Sequence, residues 1–177
     1  MERSEIAYTD YFEKIMAVMV QRGLLLGAYD EAGKANAMTI GWGSVGSIWG
    51  IPTWTVLVRP SRYTYQCLEH SQCFTVNVPG ADLAKACALC GSKSGRDMDK
   101  LAASGLIAHK ADKVAAPILD PCPIVFQCKV VHRNYVVPSA LAKQVQEGMY
   151  VNGDYHAIYY GQILAAHATA DAAQRLK

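Results

Sequence analysis

The sequence predicts a mainly β, α+β domain in which an antiparallel barrel carries helices around its periphery. Three observations lead there. Short apolar runs of strand length, at 24–29, 37–42 and 54–59, follow one another with Gly, Asp and Pro between them. Helical patterns fall between strands without strict β–α alternation, which disfavours a doubly wound parallel sheet. Finally, no dinucleotide fingerprint follows a first strand. Gly41, Gly43, Gly46 and Gly50 run together with Trp42 and Trp49 and lead into Pro52, and no P-loop pattern occurs.

Each element has its own signal. Asp10 with Glu13 reads as a capping box, and Tyr8, Phe12, Ile15 and Met19 recur at helical spacing, which predicts a first helix over about residues 9–20. The three strands follow. Residues 64–69 read as a short helix, 74–78 as a strand and 82–89 as another helix; Asp97 is placed to cap a further short helix through Leu101. Residues 117–123, bounded by Pro117 and Pro123, read as a loop. The longest strand signal covers 124–137, a helix is expected at 140–147, and 155–168 reads as the last strand before a polar tail.

At 177 residues the chain suits one domain, 1–177, with a substantial core and no repeat. Hydrophobic residues make up 51% and charged residues 18%, apolar enough to predict surface buried between subunits. A net charge of +2 without any basic run argues against nucleic acid or an anionic membrane as partner. The charged N-terminus lacks a signal-peptide pattern and no apolar run is long enough to cross a bilayer, so a cytoplasmic protein is expected. In a reducing compartment Cys67, Cys73, Cys87, Cys90, Cys122 and Cys128 are expected as buried thiols. Cys87-x-x-Cys90 lacks the second ligand pair of a zinc site and the βαβ setting of a redox motif; no metal site is expected.

Phosphate chemistry is concentrated in three segments. Arg59-Pro60-Ser61-Arg62-Tyr63-Thr64 sets two guanidinium groups and the two aliphatic hydroxyls of Ser61 and Thr64 where a strand becomes a helix, and arginine forks and free helix N–H groups both favour phosphate oxygens. Upstream, Thr39-Ile40-Gly41-Trp42-Gly43 offers glycine backbone that a flat ring can approach closely. Downstream, Ser94, Gly95 and Arg96 follow Lys93 in a loop whose successive N–H groups can form an anion nest. An isolated arginine pair at a strand end reads as solvated charge; three such segments in one chain point to a phosphorylated cofactor with a flat ring.

In their order these strings, Asn36–Trp42, Val58–Thr64, Phe74–Asn77 and Cys90–Lys100, resemble the flavin reductase-like family, most closely its flavoredoxin-type branch, over about 24–161. The resemblance implies an FMN-binding split β-barrel that dimerises with FMN near the subunit interface. It implies that Thr39, Gly41, Trp42 and Gly43 run along the isoalloxazine ring. Arg59, Ser61, Arg62 and Thr64, with Ser94, Gly95 and Arg96, then hold the phosphate. His156 matches a histidine close to the exposed flavin face, a candidate contact for nicotinamide. The chemistry belongs to the flavin, so no catalytic acid, base or nucleophile is required. The expected function is an NAD(P)H-dependent flavin reductase, with NADH or NADPH as donor and free flavin or another acceptor. The alternative is an FMN electron carrier reduced by a redox protein; a barrel that has lost its flavin and only binds is the third possibility.

Overall fold

In the computed structural model, which describes all 177 residues, one antiparallel sheet organises the chain. Its strands are β1 (Ser4–Glu5), β2 (Leu24–Tyr29), β3 (Ala35–Ile40), β4 (Gly43–Ile48), β5 (Ile51–Val58), β6 (Cys73–Val78), β9 (Ile124–Tyr135) and β10 (Ala157–Ala168). They run in the order β3-β2-β6-β9-β10-β5-β4, with β1 paired to β10, while β7 (Ile107–Lys110) and β8 (Pro117–Asp120) form a separate hairpin. The long sheet curls until β3 lies against β5, leaving an open barrel with a seam between them. Six helices accompany it: α1 (Phe12–Gln21), α2 (Tyr63–Ser71), α3 (Ala84–Ser92), α4 (Lys100–Ser104), the exposed α5 (Lys143–Met149) and α6 (Ala172–Arg175).

The period-2 alternation of strands explains where the core sits. Leu24, Leu26 and Ala28 of β2 point into the barrel with Trp54, Phe74, Phe126 and Tyr159, whereas Leu25 points outward into a second apolar cluster with Ala37, Cys87, Cys90, Leu101 and Cys122. A strand apolar on both faces therefore needs cover on both, and α3 and α4 supply the outer one. Thr39 lies two residues beyond Ala37 on that outer face, and its hydroxyl donates to the Cys87 carbonyl at 2.6 Å. That contact stands the middle of α3 over the end of β3. All six cysteines are free and buried. No helix is long and apolar enough to cross a membrane.

Several expectations are corrected. Helix α1 begins later than residue 9, because Tyr11 adopts a left-handed conformation (φ 60°) and Asp10 turns back to accept from the Ala7 N–H at 3.0 Å. The glycine run contains strand β4, which joins β5 through a tight turn at Trp49 and Gly50, both with positive φ. The cap of α4 is Asp99, not Asp97; the Asp99 side chain accepts from the Ala102 N–H at 3.1 Å. Residues 117–120 are not loop but a strand, paired with β7, and the turn follows at a cis Asp120–Pro121 bond.

Candidate functional site

The seam between β3 and β5 opens into a cavity of about 300 Å³. Its walls are the end of β3 and the residues after it, the Arg59–Thr64 turn into α2, the end of α3 with the loop that follows it (Cys90–Arg96), and His156. Of the residues singled out in the sequence, Thr39, Gly41, Trp42, Arg59, Ser61, Arg62, Thr64, Ser94, Gly95, Arg96 and His156 all line it. Three segments distant in sequence converge because β2 pairs with β3, α2 leaves the end of β5, and α3 covers β3.

Gly43 is the exception. It opens β4 opposite Val56, outside the cavity wall, and a Cβ there would lie 2.6 Å from the Thr55 carbonyl oxygen. Its smallness serves strand pairing. Gly41 differs, since a Cβ added there meets nothing within 4 Å and would project into open space. Gly95 has the opposite surroundings: a Cβ would meet Asn36 Oδ1 at 2.3 Å and Tyr63 Cδ1 at 2.9 Å. Only glycine lets the Ser94–Arg96 loop press against β3 and α2.

The polar groups divide into those already engaged and those left open. The Arg59 guanidinium donates to the carbonyls of Met149 (2.7 Å), Asp154 (3.0 Å) and Gly153 (3.3 Å), and lies 5.0 Å from the Tyr150 ring centroid. Its fork ties the loop after α5 to the cavity edge. Ser61 is also engaged, donating from its backbone N–H (3.2 Å) and its hydroxyl (2.5 Å) to the Asp154 carboxylate. Thr64 is buried and accepts from Asn36 Nδ2 at 2.8 Å, which leaves its own proton to donate. Arg96 donates to the Ser61 carbonyl at 3.1 Å and lies over the Tyr63 ring, while its backbone N–H donates to Ser94 Oγ. Tyr63 donates to Asp30 at 2.9 Å, a bond that pushes its phenol up to about 12.

Two lysines also line the cavity, Lys93, noted in the sequence beside Ser94, and Lys100. The cavity wall thus carries five basic side chains, Arg59, Arg62, Lys93, Arg96 and Lys100, and no carboxylate. None of the five takes part in a salt bridge within the chain. Such a wall concentrates positive potential in a partly enclosed, low-dielectric space, which favours an anionic ligand.

At the other end of the cavity the surface becomes aromatic. The His156 ring lies 5.0 Å from that of Trp42, and its Nδ1 shares a 2.8 Å hydrogen bond with the Tyr150 hydroxyl. Tyr150 in turn stacks on Tyr155, with centroids 4.8 Å apart. Burial, then the nearby Arg59 charge, pushes His156 down to about 4, so the ring is neutral at physiological pH.

The curled sheet and its cation-lined seam define an α+β split barrel with a basic cleft. Residues 16–176 match the flavin reductase like domain, and the chain belongs to that family. Solved structures share the fold. Flavoredoxin of Desulfovibrio vulgaris (Miyazaki F) is 22% identical over 84% of this chain and 69% of its own, with a TM-score of 0.68. Flavoredoxin from Methanosarcina acetivorans is 27% identical over 84% and 68% (TM-score 0.66). The FMN-binding domain of a flavin reductases-like enzyme from Shewanella baltica OS155 is 18% identical over 94% and 77% (TM-score 0.66). No curated protein sequence matches the chain.

Proposed function

We propose that the seam cavity holds FMN and that the protein is an oxidoreductase passing electrons through it, with NADH or NADPH as donor and free flavin or another small acceptor as recipient. The observation that carries this is the wall of five cations without an acid, set beside open glycine backbone at Gly41 and an exposed tryptophan face at Trp42. A flavin mononucleotide has the matching parts, a phosphate dianion and a flat ring. Membership of the flavin reductase like domain family supports the same cofactor.

Arg62, Arg96 and Lys93 would hold the phosphate, with the Ser94 and Gly95 N–H groups and the Thr64 hydroxyl as further donors. Arg59 and Ser61 hold the loop after α5 instead and frame the site. Thr39 has spent its proton on Cys87, so it offers a ring N–H an acceptor only. When bound, the flavin supplies the hydride and electron chemistry. Neutral His156 and the half-exposed Trp42 give a second flat ring an apolar, uncharged surface beside the cavity, which favours a nicotinamide donor.

A carrier role is the second reading, favoured by the flavoredoxins among the structural neighbours. Anaerobic addition of NADH or NADPH to the FMN-loaded protein separates the two. Rapid bleaching of the flavin is the result expected of the reductase, and a colour stable to both nucleotides identifies the carrier.

A homodimer is also proposed, formed by the outward face of β9, β10 and β5. There Trp49 is 64% exposed and packs on His132 (5.7 Å) and Tyr160 (5.8 Å), an aromatic patch without cover in the single chain. Sedimentation of the wild type and Trp49→Lys tests it, with loss of the dimer expected in the variant.

A further inference from the structure

We propose that Tyr150 is a positioning residue for the aromatic end of the cavity: it holds the His156 ring in the one tautomer that keeps Nε2–H free as a hydrogen-bond donor to a second ligand. This deepens the reductase reading above and rests on it. Between Val130 and His156 the chain runs along the exposed half of β9 and through α5, and it buries a single residue, Tyr150. Every residue of α5 itself is exposed.

The local fold fixes that residue from several sides. Tyr150 ends α5, its N–H donating to the Gln146 carbonyl at 3.0 Å. Its own carbonyl accepts from the Gly153 N–H at 2.9 Å, in a turn that uses the positive φ (71°) of that glycine. The Tyr155 ring stacks on it, and the Arg59 guanidinium lies 5.0 Å from its centroid. Held so, the phenol reaches one side-chain partner, His156 Nδ1, at 2.8 Å.

The distance alone allows that bond to run either way, and the proton inventory decides it. Burial pushes the Tyr150 phenol up, although the Arg59 charge and the His156 backbone N–H, which faces the same oxygen, act against it; the hydroxyl keeps its proton at neutral pH. That oxygen already faces a donor, and its own proton has no other acceptor in the chain, so a buried O–H goes unpaired unless Nδ1 accepts it. His156 is neutral, because burial and the charges of Arg59 and Arg62 outweigh Asp154, the one acid acting on it. A neutral imidazole carries one N–H. With Nδ1 accepting, that N–H is on Nε2, which bonds nothing in the chain while the ring lines the cavity.

A free N–H beside an apolar ring surface suits a flat ring that bears a carbonyl oxygen, as the carboxamide of a nicotinamide does. Recognition of the second ligand is thereby tied to the α5 excursion, which Arg59 fastens to the barrel through three carbonyls.

Long-range proton–nitrogen correlation spectra of the flavin-free protein at neutral pH read the tautomer directly, with the His156 signals assigned by their loss in His156→Gln. Wild type is expected to show Nε2–H alone and Tyr150→Phe a mixture of both forms. Should the variant fold poorly, the wild-type spectrum still decides, since Nδ1–H there overturns the proposal. Anaerobic reduction of the FMN-loaded protein by NADH or NADPH is then followed against pH. Tyr150→Phe is expected to raise KM about two- to tenfold, with kcat changed by less than about twofold, as for one lost hydrogen bond. It should also move the acid limb of kcat/KM upward from about 4, because the lost bond favoured the neutral ring. A merely structural role would leave that limb in place. A tautomer unchanged by the substitution, or KM and the acid limb both unchanged, overturns the proposal. A tautomer that depends on Tyr150 in a protein whose flavin neither nucleotide bleaches upholds the positioning role and removes the reductase reading.

Discussion

Ser61 donates twice to the Asp154 carboxylate, so an acid from the loop after α5 sits on the donors of the turn that the sequence assigns to phosphate. A negative charge there opposes an incoming phosphate and occupies Ser61 at the same time. Asp154→Asn keeps the bond from the Ser61 N–H, lets the Ser61 hydroxyl accept from the amide instead of donating, and keeps the tolerance of positive φ (53°) while removing the charge. The expected outcome is FMN binding about two- to fivefold tighter, with riboflavin unaffected. Fluorescence titration checks it, and weaker FMN binding would show that the acid serves the ligand by ordering the loop.

Arg59 and Arg96 should separate by what they hold. Arg59 ties three carbonyls and faces Tyr150, so Arg59→Ala is expected to lower the unfolding free energy of the flavin-free protein by about 1–3 kcal/mol. Arg96, exposed at the rim, should cost less than about 0.5 kcal/mol on truncation while weakening FMN. Denaturant melts of the two flavin-free variants decide the matter, and equal stability losses would contradict the division.

His156 gives the fold a pH dependence with a definite sign. Its pKa lies near 4 in the folded chain against 6.5 as a free side chain, so the unfolded chain binds more protons between those values. Stability should therefore fall as pH drops from about 6.5 toward 4 and show no His156 contribution above that window. Melts of wild type and His156→Gln across pH 4–7.5 read it as a shallower slope in the variant.

Gly41 and Gly95 make a paired control. Gly41→Ala places a methyl in open space, so the fold should be unaffected while the ligand loses room. Gly95→Ala drives a methyl into Asn36 and Tyr63, and a stability loss of about 1–3 kcal/mol should accompany the loss of binding. Thermal melts with FMN titrations on both variants distinguish the two effects.

What the sequence made legible was chemistry that is local along the chain. The Arg59–Thr64 turn and the Ser94–Arg96 loop announce themselves by residue type, and both line the cavity. The role of Arg59 was not legible, because the carbonyl it grips at Asp154 lies 95 residues downstream. Nothing in the sequence marks Lys100, next to Asp99, as buried; the packing of Leu101 and the capping of α4 bury it. Strand β4 escaped because its Gly and Ser residues carry no apolar alternation; pairing with β5 makes it a strand. Strand β8 begins at Pro117 and ends beside Pro121, and that punctuation hid its pairing with β7.

The central claim is that the five-cation seam binds FMN, and absorption spectroscopy tests it most directly. Protein incubated with FMN and passed through gel filtration should elute yellow, with resolved flavin bands near one equivalent per chain. Protein that elutes colourless after the same treatment would contradict the claim.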